Sequence, residues 1–526
     1  MPLDIILINP GRRFVTNRHG LGYQVPLGLV FIGGPLLDAG HSVRLVDNDV
    51  LGLPVEELAK SLAAHQPDCV MISHAGSMPA HACAVDTIRA LRRHLPETMI
   101  AYGGVYPTLA HERVMAEVPE LDIIGHGEGE ATVVDLAAAL EKDRTALGNV
   151  RGVSWRKGGT PVTNASRPPI DNLDQYRPGW ELLDWKSYNL FGFGRASGMQ
   201  FSRGCIHRCT FCSQWRFWRG WRHRSPGNFA AEIAKLVQQY GVGFVWLADE
   251  FFAADEDAAR QALVELKNRR LGVSLNLNMT ARSVVDSAEL LPLYKSAGVS
   301  HVVLGVETVK DDVVARIRKD NSFDLSKRAV RLLADHGIVS TASMIFGLED
   351  ESLSTLRSTL GGLLELDPDI FNACYVTPLP ETDFCRQTRS ERIIEPDTSR
   401  WTYRTPVVAT PHMPTWQLFA FIKFCELLFH LQPRALKRFF LGRPNGGSRF
   451  RMILRGHYRA GAWVILDEIV TFLRLRRLIE RQTSPRSDRV ATKRPVLSLQ
   501  PLPQGQRGAP RGQHPGQGGA VRLDQG

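Results

Sequence analysis

The chain of 526 residues is too long for one ordinary hydrophobic core, so about three domains are expected. The net charge is +10, but residues from Ser484 onward contain seven basic and two acidic residues and therefore supply half of the excess. Because the basic excess is concentrated in this tail, which has no aromatic residues, we expect the tail (484–526) to be disordered and the charge does not indicate a nucleic-acid-binding protein.

Neither end of the chain predicts secretion or a membrane span. The opening MPLDIILINPGRR has too short an apolar run for a signal peptide, and no stretch reaches the roughly 18 apolar residues of a transmembrane helix. We therefore expect a cytoplasmic protein, soluble or associated with a membrane surface. In that reducing compartment disulfides are not expected. Five isolated cysteines are predicted to be small buried hydrophobic residues: Cys69, Cys83, Cys374, Cys385 and Cys425.

The first 145 residues alternate apolar runs with helical patterns. Strands are predicted at 4–10, 42–47, 68–74, 99–104 and 121–130, with helix-like stretches such as LGLVFIGGPLLDAG and VEELAKSLAAH between them. This alternation predicts a doubly wound (Rossmann or flavodoxin-like) parallel α/β domain. Ligands of such sheets bind at the carboxyl ends of the strands.

A looser segment, 146–196, is predicted to be a linker that includes a hairpin. From 197 to 390 strands and helices alternate again, which predicts a partial (β/α)6 barrel of the TIM type. Residues 391–483 lose the strand pattern and are predicted to form a helical C-terminal domain. Its apolar segment 416–431 is either a helix packed on the barrel or an interfacial helix that touches a membrane or an apolar substrate.

Three cysteines, Cys205, Cys209 and Cys212, lie in a loop after the first predicted barrel strand. Three thiolates can hold three irons of a four-iron, four-sulfur cluster and leave the fourth iron open. A structural zinc ion would need a fourth protein ligand. His207 is a candidate for that ligand, but it lies between two of the cysteines and no second cysteine pair follows.

The spacing Cys-x3-Cys-x2-Cys, with Phe211 before the third cysteine and a partial barrel behind it, resembles the radical S-adenosylmethionine superfamily. The resemblance implies that the open iron binds S-adenosylmethionine and reduces it to release a 5′-deoxyadenosyl radical. It also implies contacts to this cofactor at successive strand ends. The expected contacts are Asp249 and Glu250 near the methionine amino group, Arg282 at its carboxylate, and Gly305 and Glu307 near the ribose.

Each of these residues also has a structural interpretation. Arg282 is equally compatible with a surface position, and Glu307 with a charge at a helix N-terminus.

The N-terminal segments PLGLVFIGGPLLDAGHSVRLVD, YGGVYPT and GHGEGEATVVDL resemble the cobalamin-binding module of cobalamin-dependent radical enzymes. The resemblance implies cobalamin contacts at Ser73, Gly103, Gly104, Gly127 and Glu128. The Asp-x-His-x-x-Gly signature for a lower axial histidine is absent, since His19 lacks the aspartate and the spacing. Cobalt is therefore expected to lack a histidine from that motif. The alternative is a sheet that is a relic or that binds another nucleotide.

Residues 1–385 resemble the anaerobic magnesium-protoporphyrin IX monomethyl ester cyclases in segments such as CSQWRFWR, GVGFVWLADE and AVRLLADHGIVSTASMIFGLEDES. The resemblance implies oxidative formation of the isocyclic ring, with hydrogen abstraction from the 13-propionate side chain and the new oxygen taken from water. FFAADED departs from the acidic run that these cyclases carry after LADE.

The helical end is equally similar to the hopanoid and other cobalamin-dependent radical C-methyltransferases. A third hypothesis is a cobalamin and iron-sulfur sensor without catalysis.

The expected substrate is a large, flat, apolar polycyclic molecule or tetrapyrrole. We expect a reductant such as flavodoxin or ferredoxin, no nucleic acid, and a peripheral membrane contact as an option. The aromatic residues after the cysteines, Trp215, Phe217 and Trp218, either cover the cluster or stack on a flat substrate.

Overall fold

The part of the chain that the structure describes builds two seven-stranded β-sheets in succession, and a helical region follows the second. The computed structural model describes residues 1–11, 23–74, 76–190 and 192–483. His19 and the tail 484–526, which carry two of the sequence-based expectations, lie outside the described residues.

The first sheet has the strand order β2-β1-β3-β4-β5-β6-β7, in which β1 to β5 run parallel. This order around the first five strands is that of flavodoxin-like folds. The predicted hairpin, β6 and β7, pairs antiparallel with the edge strand β5, so residues 153–163 extend this sheet. The strands are β1 (Asp4–Asn9), β2 (Ser42–Asp47), β3 (Cys69–Ser73), β4 (Met99–Gly103), β5 (Ile123–Gly125), β6 (Val153–Lys157) and β7 (Thr160–Thr163).

Helices cover both faces of the first sheet because its strands are apolar on both sides. Ile5 and Leu7 of β1 belong to a buried cluster with α1 and α7, whereas Ile6 and Ile8 join one with α3 and α4. The helices are α1 (Leu27–Asp38), α2 (Asn48–Leu51), α3 (Val55–Ala63), α4 (Met78–His94), α5 (Val105–Leu109), α6 (His111–Glu117) and α7 (Glu130–Lys142).

The second sheet contains six parallel strands, as the sequence predicts, and one short antiparallel edge strand, in the order β16-β15-β14-β13-β12-β9-β8. Strands β10 and β11 form a separate antiparallel ribbon. The strands are β8 (Asn189–Leu190), β9 (Gly194–Met199), β10 (Ser202–Arg203), β11 (Arg222–His223), β12 (Val242–Leu247), β13 (Ser274–Met279), β14 (Val299–Glu307), β15 (Val339–Phe346) and β16 (Ile370–Tyr375).

Helices pack on the outer side of this sheet and make it a partial barrel. Most of them begin with a side-chain cap, such as the Ser225 hydroxyl at α9 and the Ser352–Thr355 capping box at α15. The helices are α8 (Gln214–Trp218), α9 (Pro226–Tyr240), α10 (Glu256–Arg269), α11 (Ala281–Asp286), α12 (Leu291–Ser296), α13 (Asp311–Arg316), α14 (Phe323–Asp335), α15 (Leu353–Leu366) and α16 (Asp383–Gln387).

The C-terminal region consists of α17 (Thr415–Leu431), α18 (Pro433–Leu441) and α19 (Gly447–Thr483). Helix α17 packs on β16, which agrees with the first interpretation of segment 416–431. Phe450 and Leu454 of α19 pack against Val339 and Ile370, so α19 lies at the amino-terminal ends of β15 and β16. None of the helices in the described residues is long and apolar enough to cross a membrane.

The eight cysteines are all free. Of the five isolated ones, Cys69, Cys83 and Cys425 are buried as predicted, whereas Cys374 and Cys385 are only partly covered.

Candidate active site

The three clustered cysteines lie in a closed loop, residues 204–221, whose two ends are joined by the ribbon of β10 and β11. Gly204 has a φ of 97°, and a Cβ built on it would lie 1.7 Å from the carbonyl oxygen of Gly220. Only a residue without a side chain allows the two ends of the loop to approach so closely. The middle of the loop is fixed by hydrogen bonds from the Thr210 N–H to the Ile317 carbonyl (3.1 Å) and from the Phe384 N–H to the Thr210 carbonyl (2.9 Å).

Asp249 holds the chain segment that leads into this loop. Its carboxylate accepts hydrogen bonds from the Phe201 N–H (3.0 Å), the Ser202 N–H (2.6 Å) and the Ser202 hydroxyl (2.6 Å). Burial raises the pKa of Asp249 to about 7 despite these donors. Asp249 thus directs both carboxylate oxygens at its own chain, whereas the sequence placed it near a ligand amino group.

Glu250, the next residue, faces the cysteines. Burial raises its pKa to about 7, and its carboxylate accepts a hydrogen bond from the Trp218 indole (3.4 Å). Burial also raises the pKa of Cys212 to about 12, and the nearby Glu250 charge adds to this rise. A buried carboxylate at this position is suited to a cationic group bound beside the loop.

Arg282 lies farther out. Its side chain is 45% exposed and pairs with Asp320 (2.8 Å). The structure therefore places it at the rim of the site.

The β-bulge at Gly305 and Glu307 accommodates a buried ion pair that the sequence did not reveal. Lys319 Nζ lies 2.8 Å from Glu307 Oε1, and both side chains are nearly inaccessible. A Cβ on Gly305 would lie 2.5 Å from this ammonium nitrogen, so glycine is needed here for space. Burial lowers the pKa of Lys319, but Glu307 and the thiolates of Cys209 and Cys205 outweigh burial and raise it to about 12. Lys319 is thus a permanent cation beside the cysteine loop.

The surroundings of the thiols fit an anionic iron-sulfur cluster. Burial raises the pKa of both Cys205 and Cys209, and the Lys319 charge counteracts that effect at each. No three His, Cys, Asp or Glu side chains in the described ranges are grouped to hold a single metal ion. The fit therefore depends on the donor set itself, three thiols in a covered loop beside a fixed positive charge. His207 stays half-buried, and its Nε2 has no hydrogen-bond partner.

At the carboxyl edge of the first sheet, a cavity of about 160 Å³ is lined in part by glycine backbone. A Cβ on Gly125 or Gly127 would meet no atom within 4 Å, so open space lies directly over these residues. Gly103 and Gly104 line the same cavity, which fits the approach of a bulky cofactor. Ser73 lies one strand away and lines a larger cavity.

The barrel closes this glycine-lined cavity from the other side. Phe217 and Trp218 line it, and the guanidinium of Arg203 lies 5.3 Å from the Trp218 ring. These two aromatic residues therefore face the N-terminal domain. The guanidinium carbon of Arg216 lies over the Trp215 ring, 4.3 Å from the centroid of that ring.

Glu128 forms ion pairs across the interface of the two sheets. Its carboxylate pairs with Arg222 (2.6 Å) and Arg203 (3.3 Å), and the neighbouring Glu130 also pairs with Arg203. All four side chains are largely buried. In the structure Glu128 thus joins the first sheet to the residues that precede the cysteine loop.

Two further cavities connect the first sheet with the barrel. One of about 220 Å³ contains Cys212 on one side and His74 and Tyr106 on the other. The other, of about 670 Å³, extends from Ser73 through the barrel interior to α19. We call it the main cavity. Its size is within the range of small-molecule and cofactor sites.

Comparison with known proteins agrees with this architecture. Residues 199–361 match the Radical SAM superfamily, and residues 15–137 match a B12 binding domain. An anaerobic magnesium-protoporphyrin IX monomethyl ester cyclase from Synechocystis sp. is 36% identical over 473 residues, which cover 89% of this chain and 93% of that protein. The chain belongs to the cobalamin-dependent radical S-adenosylmethionine enzymes, in the family of these cyclases. This radical enzyme uses a four-iron, four-sulfur cluster, S-adenosylmethionine and cobalamin, as the sequence predicted.

Methyl-transferring relatives are also present. A hopanoid C-3 methylase from Methylococcus capsulatus is 27% identical over 370 residues. These residues cover 68% of this radical enzyme and 67% of the methylase. Among solved structures, the cobalamin-dependent radical enzyme OxsB with aqua-cobalamin and S-adenosylmethionine bound has a TM-score of 0.63 at 17% identity. The matched region covers 92% of this chain and 81% of OxsB. This likeness confirms the predicted order of an α/β cobalamin-binding domain, a partial barrel and a helical end.

Proposed function

We propose that this radical enzyme is an oxidative cyclase that forms the isocyclic ring of magnesium-protoporphyrin IX monomethyl ester. The observation that carries the proposal is the 36% identity to a protein of that name over 93% of the relative's length. The main cavity supports it, since most of its lining is apolar and it extends from the first sheet through the barrel interior.

We assign the thiolates of Cys205, Cys209 and Cys212 to the cluster. Asp249 is assigned a positioning role, because it fixes the segment before the loop. Glu250 is suited to the methionine amino group and Arg282, at the rim, to the carboxylate. Bound together, the cluster and S-adenosylmethionine supply a radical that abstracts hydrogen from an unactivated carbon.

The remaining side chains prepare the surroundings. Lys319 balances the negative charge of the thiolates, and the Glu307 carboxylate holds that cation in place. Ser73, Gly103, Gly104 and Gly127 are assigned to cobalamin, whereas Glu128 acts through the ion pairs that dock the two domains.

Anaerobic reconstitution with a strong reductant and magnesium-protoporphyrin IX monomethyl ester tests this function. Chromatography should show 5′-deoxyadenosine and a porphyrin product that carries the new ring. Formation of S-adenosylhomocysteine with a methylated product would instead establish the C-methyltransferase alternative, which the hopanoid methylase relative supports. The absence of both nucleoside products would overturn radical catalysis. We expect flavodoxin or ferredoxin to replace the chemical reductant.

Peripheral membrane contact is a further part of the proposal. The outward face of α17 carries an apolar stripe at helical spacing, and its residues are 37–61% exposed: Trp416, Phe424, Leu427, Leu428 and Leu431. Exposed Arg434 and Lys437 follow on α18. Flotation with anionic vesicles should retain the wild-type chain and lose a variant with Phe424→Gln and Leu431→Gln. A Leu353→Gln control alters an equally exposed residue elsewhere. Equal flotation of all three proteins would contradict the contact.

A further inference from the structure

Several polar side chains line the main cavity where it reaches α19, although most of the lining is apolar. Its apolar lining includes Phe193, Phe244, Trp246, Ile370, Met452 and Ile453. The lining also contains a polar group beside Met452 and Ile453 of α19, formed by His301, Arg404, Asn276 and His457. A small number of polar groups in a mostly apolar cavity fixes the orientation of the ligand.

Most of these polar groups have partners within the protein. The imidazole of His301 bonds to the Asn276 amide (2.6 Å) and to the Thr341 hydroxyl (2.8 Å), so both of its ring nitrogens are occupied. The Arg404 guanidinium donates to the Ala373 carbonyl (3.1 Å) and lies 3.5 Å from Glu468.

The charges behind this end of the cavity are also balanced. Glu468 pairs with Lys423 as well as Arg404, and Lys423 pairs with Glu426 (2.5 Å). Two cations thus face two carboxylates, and no surplus charge is left to attract a carboxylate of a ligand.

His457 differs from its neighbours. Its imidazole lines the cavity, and its nearest aromatic neighbour is His430, with ring centroids 5.8 Å apart. Neither ring nitrogen of His457 has a hydrogen-bond partner among the residues that the structure describes. Burial lowers the pKa of His457 to about 3, and the neighbouring His430, His301 and Arg404 add to this effect. At neutral pH the side chain therefore offers an uncharged nitrogen lone pair to the cavity.

We propose that His457 is the axial ligand of the central Mg²⁺ of a magnesium tetrapyrrole bound in the main cavity. The inference rests on the cyclase function proposed above. Four pyrrole nitrogens leave the metal open only above and below the ring, where an uncharged imidazole binds without introducing an unpaired charge into an apolar cavity. His457 thereby anchors the macrocycle at α19 and selects the metallated ring over the metal-free one.

The test measures porphyrin binding by the full-length chain without turnover. The probes are magnesium-protoporphyrin IX monomethyl ester, its metal-free counterpart, and zinc protoporphyrin IX, whose absorption reports a single axial ligand. Wild type should bind the two metallated rings at least about tenfold more tightly than the metal-free ring. A tenfold preference corresponds to about 1.4 kcal/mol of binding free energy. The zinc probe should show the red shift of axial imidazole.

In His457→Ala and in the larger His457→Gln the preference for metal should disappear while binding of the metal-free ring is retained. Added imidazole should restore the shift in His457→Ala, whereas the His65→Ala control, an exposed histidine on the first domain, should behave as wild type. Equal binding of metallated and metal-free rings by wild type would overturn the axial ligand and leave the cyclase proposal intact. Retention of the red shift of the zinc probe in both His457 variants would exclude His457 as the axial ligand. Failure of wild type to bind any of the three rings would overturn the tetrapyrrole substrate itself.

Discussion

Single residues set the charge around the cysteine loop. Glu307 has a φ of 64°, a conformation that costs a residue with a side chain roughly 1–3 kcal/mol. The bulge in which it lies directs its carboxylate at Lys319, and Gly305 makes space for the ammonium group. Local strain at one residue thus stabilises a buried cation beside Cys205 and Cys209.

Replacement of Lys319 by Met should destabilise the chain by about 3–5 kcal/mol, because it leaves the Glu307 carboxylate buried without a partner. Adding Glu307→Gln should recover much of that stability, since neither charge then remains, but iron content after reconstitution should stay low. Urea unfolding and iron analysis measure the two effects. Lys327→Met is the matched control: it removes two ion pairs with exposed carboxylates, Asp324 and Glu365, and should change stability and iron content by little. Normal iron content in the double variant would show that the three cysteines bind iron without the Lys319 cation.

Asp249 should make stability depend on pH. Its pKa is about 7 in the folded chain against 3.8 as its ordinary value, so its contribution is fully present below about pH 4 and is lost as the pH rises through 7. We expect the urea midpoint of the apo protein to fall between pH 5 and pH 8 more steeply in wild type than in Asp249→Asn, which cannot titrate. Parallel pH curves for the two proteins would contradict this assignment.

At the scale of elements, the cysteine loop depends on how its ends meet. The ribbon of β10 and β11 is only two residues long in each strand, so the close contact of Gly204 with Gly220 contributes much of the closure. Anchors at Ile317 and Phe384 then hold the loop against the ends of α13 and α16. The three thiols keep their positions through these contacts and not through a regular helix or strand.

Gly204→Ala should therefore abolish iron binding and cost about 3 kcal/mol, because strain and overpacking occur together. Gly220→Ala is a suitable control: its φ is 104°, but a Cβ there meets no atom within 4 Å. It should cost about 1–2 kcal/mol and retain iron. Iron content of both reconstituted variants, with unfolding midpoints, gives the comparison. Equal iron content in the two variants would show that iron binding does not need the close contact of Gly204 with Gly220.

At the scale of the whole molecule, the two sheets are joined close to the chemistry. Glu128 and Glu130 follow β5 of the first sheet, and Arg203 lies two residues before Cys205. A second connection comes from Trp401, Val407 and Val408, which lie beyond the barrel in sequence but share a buried cluster with the first sheet. We propose to end the first domain after the hairpin, at Thr163, and to treat residues 391–414 as a strap between the domains.

Arg203→Met should weaken this docking, because Glu130 would remain buried without its partner at a cost of about 3–5 kcal/mol. Burial raises the pKa of Glu130, but Arg203 outweighs burial and lowers it, so wild-type docking should be lost only as the pH falls below about 4.5. Limited proteolysis at pH 7 should cleave the variant within residues 164–188 faster than wild type. Arg44→Met, which removes a surface pair with Asp4, should be cleaved like wild type. Identical cleavage of all three proteins would show that the ion pairs do not hold the domains together.

The sequence alone predicted what depends on neighbours along the chain. The alternation of apolar runs and helices determined both sheets, and the spacing of Cys205, Cys209 and Cys212 indicated a cluster, since a loop of eight residues brings its own thiols together. The strand ends at Glu250 and Glu307 could be assigned because parallel strands present their carboxyl ends at one edge.

Only the tertiary structure decided the rest. Lys319 lies more than a hundred residues from the cysteines, Glu128 and Arg203 belong to different sheets, and His457 comes from a helix outside the barrel. Neither their partners nor their burial follow from local pattern. Packing between distant segments determines which charges are paired and buried, and this packing directed Asp249 and Glu128 at protein groups while it left the imidazole of His457 facing the main cavity.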